Sequence, residues 1–479
     1  MTACPDLRGL AALSGLRYSD GAAIGPTEHT DELGRKCWRF SGSDALFVAN
    51  ALNAISARGI SIFLVSRVHK HRASVALFSP RYTSYTDDTT NTTCTTTHAT
   101  LRAVVSSNGV PSLNQVVTLA GGYKFVPGCQ LNVSGFVSRT TANGACRTYM
   151  NNDVLTSGQS GTTTTGMVGG VIGATPAASN ATTGSTNWFD LYELAIWNDT
   201  QLARVMSNSE ADAIAAALVS NWGITAIDRQ LIVEGDSITD GVATVVAPTT
   251  SADNLGMQLC KPGASLVQAS CRVLNFGTSG NTISNLTLRK NAVQSVFGIN
   301  SAGSGQLYAG GDDRNIVAVQ IGRNDMGSVG GFQTPATVYA NILTLFNNAT
   351  GGAEGYLQRG FKVVMVCNIA GENPGYQTAV ETLRDMYADT ATHLPNPTFL
   401  SDLSAGTGQT YEGQVDVLHL YDVTVGGATA FKTSADAGVG PYYDAPTSSG
   451  GDGTHLVPLG IGLMASGGDT PQYGYGALA

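Results

Sequence analysis

Leu231-Ile232-Val233-Glu234-Gly235-Asp236-Ser237-Ile238-Thr239-Asp240 decides how the second half of this chain folds. A short apolar run ends abruptly in Gly-Asp-Ser. The run is too short to span a bilayer, and its composition suits a strand buried on both faces, as in parallel sheets. It delivers a serine into the turn before a helix, outside the carboxyl end of the strand, where open α/β sheets place their chemistry. A serine hydroxyl is a weak nucleophile alone, so the chain must also supply a base and donors for a developing oxyanion.

Working outward, Asn275-Phe-Gly277-Thr-Ser279-Gly280-Asn-Thr282 follows the apolar residues Val273 and Leu274. Gly322-Arg-Asn324-Asp325 follows the strand-like Asn315-Ile-Val-Ala-Val-Gln-Ile321, and Asp452-Gly-Thr-His455 lies near the C-terminus. In order, spacing and strand context, over roughly residues 229 to 470, these stretches resemble the four signature blocks of the SGNH (GDSL-type) hydrolase family. That resemblance implies a flavodoxin-like three-layer α/β fold and a serine esterase. It casts Ser237 as nucleophile, His455 as general base and Asp452 as the group that orients the imidazole. The oxyanion hole would combine the N–H groups of Ser237 and Gly280 with the side-chain amide of Asn324. Asp236 and Asp325 are expected to fix the loops around Ser237 and Asn324. Block one reads Ser-Ile where many members have Ser-Leu.

A second Asp-x-x-His competes for the base. Asp416-Val-Leu-His419 sits in an apolar alternation that reads as strand or buried helix. Asp452-Gly-Thr-His455 instead lies in a glycine-rich loop, before Pro458 and a terminal helix over Leu459–Ala465. Catalytic side chains favour loops on a rigid scaffold, so Asp452 and His455 are taken, with Asp416 and His419 as the competing pair. His393, beside Pro395 and Pro397, reads as a surface loop residue.

At 479 residues the chain has room for two cores, and two domains are expected, 1–225 and 229–479. Residues 1 to about 205 carry short apolar runs between polar stretches, such as Ser61–Val68, Ser74–Phe78, Leu101–Val105, Gly135–Val137, Val168–Ile172 and Trp188–Trp197. Strands at this spacing with little helix signal predict an antiparallel sandwich. Phe40–Leu46, the strand and turn Thr148–Asp153 and the run Phe189–Trp197 resemble parts of a concanavalin A-like (laminin-G-type) jelly roll. The terminal helix Ala211–Asn221, opened by the capping box Ser207-Asn-Ser-Glu210 and closed by Trp222-Gly223, also resembles that group. Segments 85–98 and 156–165 read as long loops. Trp38, Trp188, Trp197 and Trp222 offer either a sugar-stacking platform or core packing; each sits inside an apolar pattern, which favours the core.

In the second half, strands are predicted near 230–234, 272–276, 315–321, 362–367 and 398–403, with helices over 337–346 and 377–387. Alternation of this kind implies a parallel, doubly wound sheet. Tyr442, Tyr443 and Asp444 are candidate walls of a substrate groove.

A net charge of −9 with no basic stripe argues against nucleic acid as a partner. No apolar run is long enough for a membrane span. The N-terminus lacks the basic start and apolar core of a signal peptide. Even so, the Thr, Ser, Gly and Asn richness suggests a secreted or surface-exposed protein, such as a phage tail component. Eight cysteines without a Cys-x-x-Cys make a zinc site unexpected, and no dense carboxylate loop suggests calcium, so no metal and no cofactor is expected. Cys260 with Cys271, Cys129 with Cys146 and Cys4 with Cys37 are candidate disulfides; Cys367 reads as a buried free thiol.

The functional expectation is a serine esterase removing O-acetyl groups from an acetylated polysaccharide or oligosaccharide. The carbohydrate part rests on association with the lectin-like sandwich. Two alternatives stand beside it: a lipid-type esterase or lysophospholipase on the same triad, and a glycan-binding adhesin with an inert hydrolase fold.

Overall fold

The computed structural model describes residues 13–17, 23–24, 26–41, 46–49, 59–69, 75–82, 101–103, 128–139, 147–157, 167–172, 188–198, 206–241, 254–263, 265–292, 315–348, 354–369, 374–411, 413–432, 441–444 and 454–478. Asp452, segment 85–98 and most of 156–165 lie outside them, as do Cys4, Cys94 and Cys146. Two compact units emerge, divided between Ala226 and Ile227.

The N-terminal unit is all-β and antiparallel, and fits a jelly roll. One sheet of seven strands runs, in spatial order, Asp153–Ser157, Arg147–Met150, Asn132–Arg139, Gly59–Val68, Trp188–Asn198, Lys36–Ser41 and Thr27–Thr30. A six-stranded sheet contains Ala23–Ile24, Leu13–Arg17, Leu46–Ala49, Met167–Ile172, Val75–Tyr82 and Leu101–Ala103. The hairpin at Thr148–Asp153 turns through Asn151 at φ 53°, a left-handed conformation that asparagine tolerates better than most residues. Helix Asn208–Asn221 starts at the predicted capping box: Ser207 accepts from the Glu210 N–H, and the Glu210 carboxylate accepts from the Ser207 N–H. Its buried Ala211, Ala215, Leu218 and Val219 join a core with Phe63, Val65, Val133 and Tyr149. Trp197 and Trp222 pack against the same core, and Trp222 Nε1 donates to Glu193 at 2.6 Å. Those two rings are therefore structural.

Asp190 is buried between Arg39, whose guanidinium donates twice at 2.8 and 2.9 Å, and His69, 3.1 Å away. Burial works against its charge, but the contacts with His69 and Arg39 together outweigh burial and hold the carboxyl well below its usual range.

The C-terminal unit is a five-stranded parallel sheet. In chain order its strands are Arg229–Gly235, Cys271–Asn275, Asn315–Gln320, Lys362–Val366 and Val415–Leu418, and their spatial order is 2-1-3-4-5. This is the flavodoxin-like order, whose switch point lies beside the first and third strands. The first three strands are almost wholly buried, as their apolar runs require. One helical group joins Leu255–Leu259 to Pro458–Ser466; another packs Ile283–Ala292 against Pro335–Phe346, and that helix against Pro374–Tyr387.

Buried polar residues also cross this sheet. Gln230 sits in register between Arg272 and Asn315, accepting from the Arg272 guanidinium and donating to Asn315 Oδ1. The Gln230 amide thus uses both of its ends on neighbouring side chains where water is excluded.

Two expectations are corrected. Residues 398–403 belong to helix Pro397–Ser404, not to a strand. Asn396 accepts from the Thr398 N–H and Pro397 occupies the first turn, both helix-start signals, while Phe399 and Leu403 bury one face. The fifth strand is Val415–Leu418 instead. The proposed pair of Cys260 with Cys271 does not form, and Cys37, Cys271 and Cys367 are buried free thiols; Cys146 and Cys4, the proposed partners of Cys129 and Cys37, lie outside the described residues. Cys271 opens a strand in the sheet interior, where burial pushes its thiol up to about 12.

Candidate active site

Ser237 opens a one-turn helix, Ser237–Asp240, directly after the first strand. Asp236 caps that turn, its carboxylate accepting from the Ile238 N–H at 3.0 Å, and Thr239 Oγ1 donates to the Asp236 carbonyl at 2.9 Å. The turn packs so closely under the second strand that a Cβ on Gly277 would stand 2.5 Å from the Asp240 nitrogen. Only glycine fits there.

His455 meets this serine. Its Nε2 lies 2.6 Å from Ser237 Oγ, a short hydrogen bond between residues 218 positions apart in sequence. The segment carrying His455 is braced by residues 442–444. Asp444 N–H donates to the His455 carbonyl at 2.7 Å, Val457 N–H donates to the Tyr442 carbonyl at 3.0 Å, and Tyr443 bridges Leu456. Tyr443 and Asp444 are buried, so these two hold the histidine segment in place and do not form the predicted groove wall.

His419 is elsewhere. It follows strand Val415–Leu418, buried, in ring contact with His393, Tyr421 and Tyr473. Burial, reinforced by the neighbouring His393, pushes its pKa down to about 4. His393 is not a free surface residue either: its Nε2 is 3.2 Å from Asp422 Oδ2. Asp452, the predicted partner of His455, lies outside the described residues.

The other two blocks close around the serine turn. Asn281 Nδ2 donates to the Gly235 carbonyl at 3.0 Å, and Asn324 Nδ2 donates to the Asn281 carbonyl at 2.9 Å. Ser279 N–H donates to Asp240 Oδ2 at 3.2 Å. Asp325 accepts from the Ile283 N–H through both oxygens, at 3.1 and 3.2 Å. Asp236 and Asp325 thus hold loops together. Gly280 adopts φ 79°, and a Cβ there would meet nothing within 4 Å. Its need for glycine is conformational and does not come from a crowded approach. Among the described residues, the N–H groups of Ser237 and Gly280 donate to no protein oxygen.

Sequence reasoning missed Arg323, Asn281 and Asp240. The Arg323 guanidinium, buried, donates to the Ile369 carbonyl at 3.2 Å and to Thr454 Oγ1 at 3.3 Å, linking the third block to the residue before His455. An arginine inside Gly-Arg-Asn-Asp, just past a buried strand, was the signal.

Both supporting carboxyls are raised by burial. Asp325 reaches about 6, against the Ile283 N–H and with the Asp236 charge adding. A carboxyl that binds its proton more tightly when folded contributes stability fully below its unfolded value, about 3.9, and loses it as the pH rises through the folded value. Asp325→Asn is therefore expected to flatten the fall in melting temperature between pH 4 and 6. Melting scans across that range check it, and an unchanged slope would assign the titration to another group.

Residues 231–466 match the family model described as GDSL-like Lipase/Acylhydrolase. No curated protein gives a significant match. Among solved structures, a lipolytic G-D-S-L family protein from Veillonella parvula is similar at 13% identity and a TM-score of 0.29, covering 52% of this chain and 96% of that one. A carbohydrate acetylesterase from Sinorhizobium meliloti gives 13% identity and 0.28, covering 49% and 93%. Domain 4 of an extracellular arabinanase from Geobacillus stearothermophilus, in complex with arabinotriose, gives 13% and 0.26, covering 43% and 87%. The family match, the parallel sheet and a serine presented at the sheet's switch point identify the C-terminal half of this chain as a GDSL-like lipase/acylhydrolase domain, a carboxylic ester hydrolase.

Proposed function

We propose that the C-terminal unit removes O-acetyl, or similarly short acyl, groups from a carbohydrate or polysaccharide. The 2.6 Å contact between Ser237 Oγ and His455 Nε2 carries the reading. In this mechanism Ser237 passes its proton to His455 as Oγ attacks the ester carbonyl carbon. The carbonyl oxygen takes up the negative charge, facing the N–H groups of Ser237 and Gly280 and the Asn324 amide. Asn324 uses one amide hydrogen on the Asn281 carbonyl, which fixes the group and leaves its second hydrogen for the oxyanion. The bond to the sugar oxygen then breaks, and His455 returns the proton to that leaving alkoxide. A water, deprotonated by the same nitrogen, splits the acyl-serine into the acid and free Ser237. Asp452 is assigned to hold the imidazole through its other nitrogen.

The polar surroundings support a short acyl group. Asn281, Asn324, Arg323 and Thr454 line the loops that meet at the serine, whereas a long acyl chain needs an apolar slot. A carbohydrate acceptor rests on the companion sandwich, an association of folds. A secreted or particle-surface location is part of the same proposal. A lipid-type ester is the second reading. Val329 and Phe332, just past Asn324, and Leu459, just past His455, are 62%, 74% and 58% exposed, an apolar display that a lipid would favour.

Acyl-chain length separates the two. On p-nitrophenyl esters, kcat/KM is expected to fall at least tenfold from acetyl to octanoyl, and acetate release is expected from at least one member of a panel of acetylated polysaccharides. A rise toward octanoyl with no polymer deacetylation would give the site to lipid.

A further inference from the structure

His393, His419 and Asp422 form a second cluster of ligating side chains, one that the hydrolytic machinery does not use. Each offers one atom, and these atoms lie within 4.8 Å of one another. His393 comes from the turn between the short paired strands Ala388–Asp389 and Leu394–Pro395. His419 and Asp422 come from the 3-10 turn that follows the edge strand Val415–Leu418. His393 Nε2 stands 3.2 Å from Asp422 Oδ2, and the two imidazoles meet edge to face at 5.0 Å.

An ion pair between His393 and Asp422 leaves two features unexplained. His419 is 1% exposed, yet among the described residues neither of its ring nitrogens has a hydrogen-bond partner. Buried polar atoms are rarely left so, because their lost hydration is then uncompensated. His393 also holds φ at 57°, a left-handed conformation uncommon outside glycine and one that persists where the surroundings enforce it. The two irregularities converge on one point, the space between the three side chains.

We propose that His393, His419 and Asp422 bind a divalent transition-metal cation of the zinc class, which clamps the turn carrying His393 to the end of the parallel sheet. Two imidazole nitrogens and one carboxylate oxygen suit zinc, nickel or cobalt; magnesium and calcium prefer oxygen alone. Ligands at about 2.0–2.1 Å from a tetrahedral zinc stand roughly 3.3 Å apart. The 3.2 Å edge is already near that spacing, and the remaining edges close from at most 4.8 Å by small side-chain rotations. The neighbouring charges leave room for the ion. Lys432 Nζ lies 3.0 Å from Asp422 Oδ1, but its side chain is 46% exposed and can swing into solvent. Arg384 is engaged with Asp385 and lies over the Tyr421 ring. Asp416 and Asp389, the other charged groups that act on His419 or feel its charge, are carboxylates and favour a cation.

The test is a titration of the metal-stripped full chain with zinc chloride, followed by calorimetry and by melting temperature, with magnesium as control. The expected result is one zinc per chain and a rise in melting temperature, with neither for magnesium. His393→Ala and Asp422→Asn should each weaken zinc binding at least about tenfold, the scale of losing a ligand or its support, while hydrolysis of a small acetyl ester stays at the wild-type rate. His393→Gly guards against misfolding: it relieves the left-handed constraint, so its metal-free melting temperature should not fall, yet the zinc-induced rise should vanish. No zinc uptake by the wild type, or uptake unchanged in His393→Gly and Asp422→Asn, overturns the proposal.

Discussion

Ser237→Ala is expected to leave a folded protein whose ester hydrolysis has fallen by about four orders of magnitude or more, the scale seen when a catalytic serine is removed from a serine hydrolase. The loss should be in kcat. The substitution deletes one oxygen from a one-turn helix whose cap, Asp236, and whose internal bond, Thr239 to the Asp236 carbonyl, are untouched. The melting temperature should therefore stay near that of the wild type. Rates on a small acetyl ester, with single-turnover assays for an acyl-enzyme, check it. Retention of even a tenth of the activity would mean that Ser237 is only a residue of the turn and that another nucleophile does the chemistry.

His455→Ala should be nearly as damaging, and the comparison with His419→Ala is the informative one. The Ser237 hydroxyl has no other base within the described hydrogen bonds, so losing the imidazole leaves nothing to accept its proton during attack. Among the described residues, the ring neighbours of His419 are His393, Tyr421 and Tyr473, none of which meets Ser237. We expect a fall of about three orders of magnitude or more for His455→Ala, and for His419→Ala a change in stability with kcat preserved in whatever fraction folds. An active His455→Ala beside a dead, folded His419→Ala would reverse the assignment. Active-site titration corrects both rates for folded fraction.

Much of this was legible because it is local. Apolar runs marked four of the five parallel strands, since a strand buried on both faces has little freedom in composition. The serine block was legible because strand, turn and cap lie within ten consecutive residues. Where the reading failed, local signals conflicted or the determinant lay far along the chain. Residues 398–403 are apolar enough for a strand, but Asn396 and Pro397 start a helix there, and those two residues decide it. Cysteines 260 and 271 are close in sequence, yet one ends a short helix and the other opens a buried strand. Arg323 reaches a threonine 131 residues away, and His393 reaches an aspartate 29 residues away. No spacing rule encodes such pairs; only packing brings them together.

The 218 residues that separate Ser237 from His455 have a consequence for how activity arises. Ser237, the proposed nucleophile, directly follows the first strand of the sheet, while His455, its proposed base, arrives on a segment that docks through backbone bonds to residues 442–444. Contacts of such long range form late, because the intervening loop must close before they are rewarded. A newly made or partly unfolded molecule thus carries an unarmed serine. On the proposed mechanism, hydrolysis begins only when the sheet is complete and the His455 segment is seated, so enzymatic competence would report on the integrity of the whole unit.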